Sequence, residues 1–382
     1  MTRGRKVAAG IRRRELVTGA ARLAALSWIA PAFGAGAAAL EKRYSKRAID
    51  LVRAARAVDL KHALTLNPVT LKKWLTDATA FTAEDKALFR SCGLKVIQTT
   101  LETVEDTLLD FAWHNGFVAE HGDLFARIDG TADIDRIGDG RIGIIFGCEN
   151  SDHFRKLDDV DLYYSLGQRV SQLTYNSQNR LGAGATERRD GGLSDYGVAI
   201  VERMNEVGMA VDLSHCGDRT TLDAIVCSKK PVLFTHAAAR ALNPTHPRTK
   251  SDEAIRQLAA RGGVMGIPFL RVFASDQEPT TIENVLAHFD HVIRLVGPDH
   301  VAVGSDIGPH GYDSLPREMV AASKANLKPG SYAFREKDDI QGLDHPRRIY
   351  DLTEGLIRRG HGDEVITGIL GRNARRVLAR IW

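Results

Sequence analysis

The chain has little of what defines several protein classes. Only 4 of its 382 residues are cysteine, too few for a disulfide scaffold. A charge-free run at residues 23–39 is rich in alanine and glycine, whereas a membrane-spanning helix needs about 20 strongly apolar residues. No glycine-rich dinucleotide motif or P-loop follows an early predicted strand, which disfavours a doubly wound sheet. With 43% hydrophobic and 26% charged residues, the remaining class is an ordinary globular protein.

A surplus of charge is also missing from most of the chain. The formal net charge of +4 comes from 52 basic and 48 acidic residues, but residues 1–39 hold seven of the basic residues and one acid. The rest carries −2, so nucleic acid is not an expected partner.

Residues 1–39 have the order of an export signal: basic, then apolar, then small residues. Within them, residues 13–17 (RRELV) resemble the twin-arginine motif. We therefore expect export to the periplasm or cell surface through the twin-arginine machinery, with residues 40–382 as the mature domain. A basic amphipathic helix or an uncleaved anchor is the alternative.

An oxidising compartment would allow disulfides. The four cysteines, Cys92, Cys148, Cys216 and Cys227, permit three complete pairings, among which the sequence cannot choose. Buried free thiols are the simpler interpretation.

Short β-branched runs alternate with amphipathic stretches after residue 40. The predicted strands cover residues 56–60, 94–99, 142–147, 170–175, 209–213, 231–235, 263–268 and 301–305. Eight strands separated by helices predict an α/β fold, a (β/α)8 barrel, with a doubly wound sheet as the runner-up. Residues 101–135 are predicted to be helical, and the final helix, 364–382, is interrupted at residues 371–373.

Four predicted strands end in residues that can bind metals or move protons. These residues are Glu149, His215, His236 and Asp306. Because a barrel places the carboxyl ends of its strands around one mouth, we expect the four side chains to meet there. The alternatives are helix capping by the two acids and ordinary packing of the histidines.

Two histidines and one glutamate with open coordination positions are typical of a hydrolytic zinc site, which predicts Glu149, His215 and His236 as ligands. Asp306 could transfer the proton. Arg248, beside the predicted mouth, could bind a substrate carboxylate, although it could also be a solvated arginine before a helix capped by Ser251 or Asp252.

Several of these residues lie in an ordered set of motifs. The set comprises residues 147–149, 173–176, 192–197, 211–215, 235–236, 246–248, 304–306 and 371–373. In their order and spacing, over about residues 50–380, the chain resembles the membrane (renal) dipeptidase family, peptidase family M19. The resemblance implies a (β/α)8 barrel with a two-zinc site that cleaves dipeptides, and members of the family are often dimers.

The resemblance also implies individual roles. Glu149 would bridge two metals, and His215 and His236 would complete the ligands of the second. Arg248 would bind the terminal carboxylate of the substrate, and Asp306 would handle the proton.

The chain departs from the family at the first strand. The family motif there is D-G-H-x-D, whose histidine and second aspartate hold the other metal. This chain has Asp59 at the first position, Lys61 in place of the histidine and Ala63 in place of the second aspartate. His62 is one residue late and is expected to face the other side of the strand. Tyr175 stands where the family often has a substrate-binding histidine.

A protonated lysine cannot coordinate metal. We therefore expect Lys61 to place a positive charge at the missing metal position beside Glu149, with one zinc ion bound and a second doubtful.

Three functions remain open. The first is a zinc-dependent dipeptidase-like hydrolase acting on a small peptide or amide with a free carboxylate. The second is a non-peptidase with one metal or none that tailors or isomerises a peptide-derived metabolite in the periplasm. The third is not an enzyme but a periplasmic binding or maturation protein.

Overall fold

The computed structural model describes residues 43–101, 106–325 and 337–382, so the predicted export signal lies outside the described residues. Tyr44–Trp382 forms one compact unit. Its strands are β1 (Val58–Asp59), β2 (Val96–Leu101), β3 (Phe125–Arg127), β4 (Ile142–Cys148), β5 (Gln168–Gln172), β6 (Ala210–Asp212), β7 (Leu233–Phe234), β8 (Val264–Ile267) and β9 (Val301–Val303).

Eight of these strands form a closed parallel barrel. Neighbouring strands follow the order β2-β1-β9-β8-β7-β6-β5-β4, and a parallel pairing between β2 and β4 closes the ring. β3 pairs with β4 outside the ring. The barrel prediction is therefore confirmed. The expectation of a helix throughout residues 101–135 is wrong, since β3 lies within this segment and pairs with the first three residues of β4.

Helices cover the outside of the barrel. They are α1 (Lys46–Ala55), α2 (Pro68–Thr76), α3 (Ala83–Ser91), α4 (Thr107–Glu120), α5 (Thr131–Arg136), α6 (Asp158–Ser165), α7 (Asp195–Val207), α8 (Asp218–Cys227), α9 (Asp252–Ala260), α10 (Arg271–Ala274), α11 (Ile282–Val296), α12 (Arg317–Ala325), α13 (Arg348–Arg358), α14 (Asp363–Thr367) and α15 (Asn373–Ile381). Among the described residues, no helix is both long and apolar enough to cross a membrane.

Local sequence explains several helix ends. Asn67 caps α2 through its side chain and is followed by Pro68 at the first helical position. Ser251 caps α9 by accepting from the Ala254 amide, as expected. Gly208 ends α7 with φ of 88°, a left-handed conformation that glycine adopts without a Cβ clash.

The amino-terminal end of the barrel is closed by apolar packing. Side chains near the strand starts form a buried cluster with Ala374, Val377, Leu378 and Ile381 of α15. The predicted interruption of the last helix is present as one widened helical turn at Gly368–Arg372. A Cβ on Gly371 would lie 2.5 Å from the Ala55 carbonyl oxygen, so α1 packs against bare backbone there. With this end filled by apolar side chains, we expect the functional cavity at the carboxyl ends of the strands.

Candidate metal centre and active site

The carboxyl ends of the strands surround a cavity of about 220 Å³. Its polar lining includes Lys61, Glu149, His215, Arg248 and Asp306, which come from five different strand ends or the loops that follow them. The structure therefore brings together side chains that lie up to 245 positions apart in the sequence. The alternatives of helix capping by Glu149 and Asp306 are not observed, since neither caps a described helix.

Glu149, His215 and His236 form a compact group at one side of the cavity. The Nε2 atoms of the two histidines lie 2.9 Å apart. Glu149 Oε1 lies 3.5 Å from Nε2 of His215 and 3.3 Å from Nε2 of His236. Both imidazoles are buried.

Hydrogen bonds behind the histidines fix which nitrogen carries the proton. Asp212 accepts the hydroxyl proton of Thr235 at 2.7 Å, so the Thr235 oxygen is left to accept from Nδ1 of His236 at 2.8 Å. The side-chain oxygen of Asn176 accepts from Nδ1 of His215, also at 2.8 Å. Each ring therefore presents an Nε2 lone pair to the cavity.

Two lone pairs facing each other at 2.9 Å cannot hydrogen-bond to one another. Together with Glu149 Oε1, they form three electron-pair donors directed at one point. Two imidazoles and a carboxylate are the donors that zinc and similar divalent ions prefer. The residues present therefore fit one divalent cation.

The electrostatics of the group favour the ligand forms. Burial and the nearby Arg248 guanidinium hold the pKa of His215 well below its ordinary range, so the ring stays neutral. Burial opposes ionisation of Glu149, but the Lys61 ammonium beside it outweighs burial and holds the pKa of that carboxyl well below its ordinary range.

Lys61 occupies the other side of Glu149. Its Nζ lies 3.3 Å from Glu149 Oε2 and 3.8 Å from Asp306 Oδ1, and donates to Thr100 Oγ1 at 2.7 Å. Only 6% of the residue is exposed. Burial alone would lower the pKa of Lys61, but the two carboxylates raise it above its ordinary value. Glu149 thus bridges the histidine pair and an ammonium group.

The remaining first-strand residues do not add ligands. Asp59 is buried beneath the cavity and accepts from the backbone and hydroxyl of Ser305. Burial raises the pKa of Asp59 to about 6, against the effect of these hydrogen bonds. Ala63 lines the cavity with a methyl group. His62 is fully buried 6.4 Å from the Phe89 ring and does not line the cavity, as the one-residue slip predicted.

Arg248 and Tyr175 also line the cavity. The structure corrects the alternative of a solvated Arg248, which is only 2% exposed because its guanidinium lies over the Phe273 ring and donates to the His236 carbonyl at 3.0 Å. Its Nε is buried and has no hydrogen-bond partner among the described residues. Tyr175 stacks on the His215 ring, with centroids 4.3 Å apart, and is 46% exposed.

Asp306 is held in an unusual backbone conformation. Its φ is 62°, in the left-handed region that few non-glycine residues adopt. Its amide donates to the Lys61 carbonyl at 2.8 Å, which ties the end of β9 to the end of β1.

Family comparison decides how this geometry is classified. The model of the membrane dipeptidase family, peptidase family M19, matches residues 52–327. The chain belongs to this family. Members are metal-dependent hydrolases, and the Glu149, His215 and His236 group is the candidate metal site of this M19 chain.

Curated M19 relatives are longer than this chain. It is 34% identical over 243 residues to the dipeptidase verJ of Clonostachys rogersoniana, covering 63% of this chain and 55% of that protein. It is 29% identical to the dipeptidase ataJ of Aspergillus terreus over 74% of this chain and 68% of that protein. The match spans about half the length of verJ and of two further curated dipeptidases.

Solved structures agree with the fold. An amidohydrolase from Pseudomonas aeruginosa superposes with a TM-score of 0.74 at 29% identity, covering 88% of this chain and 99% of that one. A metallopeptidase from Rhodobacter sphaeroides, liganded with a phosphinate mimic of the dipeptide L-Ala-D-Ala, superposes with a TM-score of 0.69 at 18% identity. The superposition covers 85% of this chain and 99% of the metallopeptidase chain. At this identity, the similarity supports the shared fold only.

Sequence reasoning missed the residues that support the site. Thr100 is the penultimate residue of β2 and accepts from Lys61, so examining that strand end as well would have found it. Asn176 and Thr235 lie inside recognised M19 motifs, but their roles depend on hydrogen bonds across the barrel. Phe273, under Arg248, carries no sequence signal, because it comes from the short helix α10.

Proposed function

We propose that this M19 protein is a hydrolase that binds one divalent cation, zinc, and cleaves an amide bond in a small substrate with a free carboxylate. One observation carries the proposal: two imidazole lone pairs and a carboxylate oxygen converge on one point. Relatives named dipeptidase and amidohydrolase support amide hydrolysis as the reaction class.

A bound zinc ion would supply an activated water and polarise the scissile carbonyl. His215, His236 and Glu149 would hold it, with their orientations fixed by Asn176 and Thr235. The second cation position of the family is filled by the Lys61 ammonium, which neutralises Glu149 Oε2 and needs no metal.

The other side chains would position the substrate and move the proton. Arg248 is buried and fixed against Phe273, so its guanidinium binds the substrate carboxylate with little loss of side-chain entropy. Asp306 Oδ1 accepts a proton from the attacking water and returns it to the leaving amine. Tyr175, stacked on His215, forms the exposed wall that the substrate passes on entry.

The test is amide hydrolysis by protein loaded with one equivalent of zinc, followed as amine release. We expect activity in the wild type and none in His215→Ala, which also loses the metal. His291→Ala is the matched control, because that histidine pairs with Asp252 at 2.7 Å away from the cavity. Zinc binding without hydrolysis of any carboxylate-bearing amide would contradict the proposal.

A second function is favoured by Lys61 alone. A lysine at the metal position could support a non-hydrolytic proton transfer on a peptide-derived metabolite, with one metal or none. Amide hydrolysis by the zinc-loaded wild-type protein would exclude this alternative.

We also propose export to the periplasm through the twin-arginine pathway, from residues 13–17 and the apolar stretch after them. Cell fractionation tests it: replacing Arg13 and Arg14 by lysine should retain the protein in the cytoplasm.

A further inference from the structure

The charged side chains of the cavity favour a substrate carboxylate and disfavour a substrate ammonium group. A substrate carboxylate can bind the buried Arg248, whose Nε has no hydrogen-bond partner among the described residues. Lys61, a second buried cation, lines the same cavity. A free dipeptide is negative at one end and positive at the other, so its ammonium end would meet a like charge.

That ammonium end would also find no carboxylate that is not already paired with Lys61. Among the described residues that line the cavity, Glu149 and Asp306 are the only carboxylates. Both face Lys61, with Glu149 Oε2 at 3.3 Å and Asp306 Oδ1 at 3.8 Å from its Nζ. A substrate ammonium would have to displace an ammonium that belongs to the protein, and would lie within a few ångströms of it.

The wall next to Lys61 suits an uncharged group instead. Ala63, Leu66, Pro68 and Leu71 line the cavity on the segment that follows β1, together with Thr65. The first four side chains offer only apolar surface, and the Thr65 hydroxyl oxygen accepts from the Asn67 amide at 3.2 Å. An acyl chain would lose water there at no electrostatic cost, whereas an ammonium would lose water without compensation.

We propose that the preferred substrate class is an N-acylated amino acid: an amide between an uncharged acyl group and an amino acid with a free carboxylate. This inference rests on the proposed hydrolase function and replaces the free dipeptide as substrate. Water adds to the acyl carbon and the C–N bond breaks. The products are the carboxylate of the acyl group and the amino acid, whose amine takes up the proton released when the acid ionises.

The effect of the ammonium group can be measured with two matched substrates. L-alanyl-L-alanine and propionyl-L-alanine differ only in that a hydrogen replaces the amino group, and the D-alanine counterparts cover the other stereochemistry. With zinc-loaded protein at pH 6.5, we expect kcat/KM for the propionyl compound to be higher by about 10- to 100-fold, the range expected when a charged group loses its hydrogen-bond partners. Calorimetric binding to the metal-free protein should rank the two ligands in the same order.

The pH and Lys61 variants test the cause. The amine of a dipeptide loses its proton near pH 8, so the preference should shrink from pH 6.5 to pH 9, while effects common to both substrates cancel in the ratio. Lys61→Met should reduce the preference at least tenfold, because it frees both carboxylates for a substrate amine. Lys61→Arg keeps the charge and should retain the preference.

The possible outcomes distinguish failure of the proposed substrate preference from failure of the proposed hydrolase activity. Equal or faster cleavage of alanyl-alanine by the wild type overturns the inference but leaves the hydrolase intact. A preference unchanged in Lys61→Met, with Lys61→Arg folded, overturns the role of Lys61. Cleavage of neither substrate in either stereochemistry, with zinc bound, overturns the hydrolase proposal itself.

Discussion

Replacing Thr235 by valine should weaken metal binding without touching a metal ligand. Thr235 is 1% exposed, and valine has nearly its shape, so the substitution removes one hydroxyl and little volume. That hydroxyl donates to Asp212 at 2.7 Å and accepts from His236 Nδ1 at 2.8 Å. Without it, the His236 ring is no longer held in the tautomer that points its Nε2 lone pair at the cavity.

The size of the effect follows from these two hydrogen bonds. Loss of a hydrogen bond behind a metal-ligating histidine reduces metal affinity by about 10- to 100-fold, or about 1.4–2.7 kcal/mol. The metal-free protein should lose about 2–4 kcal/mol of unfolding free energy, because one bond to a charged carboxylate and one to a buried ring disappear.

The assay is zinc affinity by competition with a chromophoric chelator, together with urea unfolding of the metal-free protein. Thr353→Val is the matched control, since Thr353 is equally buried but its hydroxyl only donates to the Ile349 carbonyl within α13. An unchanged zinc affinity in Thr235→Val, or an equal loss in Thr353→Val, would refute the tautomer argument.

Two further predictions concern the proton and acid stability. Asp306→Asn should lower kcat by about 10²- to 10⁴-fold and leave zinc affinity within threefold, measured by steady-state kinetics and chelator competition; a parallel loss of zinc would make Asp306 a ligand instead. Burial holds the pKa of His288 at about 4. The folded state therefore binds fewer protons than the unfolded state between pH 6.5 and pH 4, and stability falls by about 3 kcal/mol as pH drops through that window. In His288→Gln, the unfolding free energy measured by urea titration should fall by about 3 kcal/mol less over this pH window. An unchanged pH dependence of the unfolding free energy would contradict this prediction.

Much of the barrel could be predicted because its signals are local. Buried parallel strands are short apolar runs, and each of the eight ring strands produced one. β3 escaped detection because it has three residues and only Phe125 is fully buried, so no periodic pattern marks it. The interruption of the last helix was visible because glycine disfavours a helix interior.

The site was predictable to the extent that it lies at strand ends. Glu149, His215, His236 and Asp306 follow apolar runs directly, and barrel topology alone brings them together. The burial of Arg248 was not predictable, because it depends on Phe273, which belongs to a different βα segment. The left-handed conformation of Asp306 was equally hidden, since it follows from a hydrogen bond to the first strand.

We propose that Lys61 replaces one of the two cations bound at the M19 site. Elemental mass spectrometry after zinc loading and removal of unbound ions counts the metal ions per chain. We predict one zinc per chain in the wild type. The double variant Lys61→His/Ala63→Asp, which restores the family pattern at the first strand, should bind two. Two zinc ions in the wild type would contradict the account.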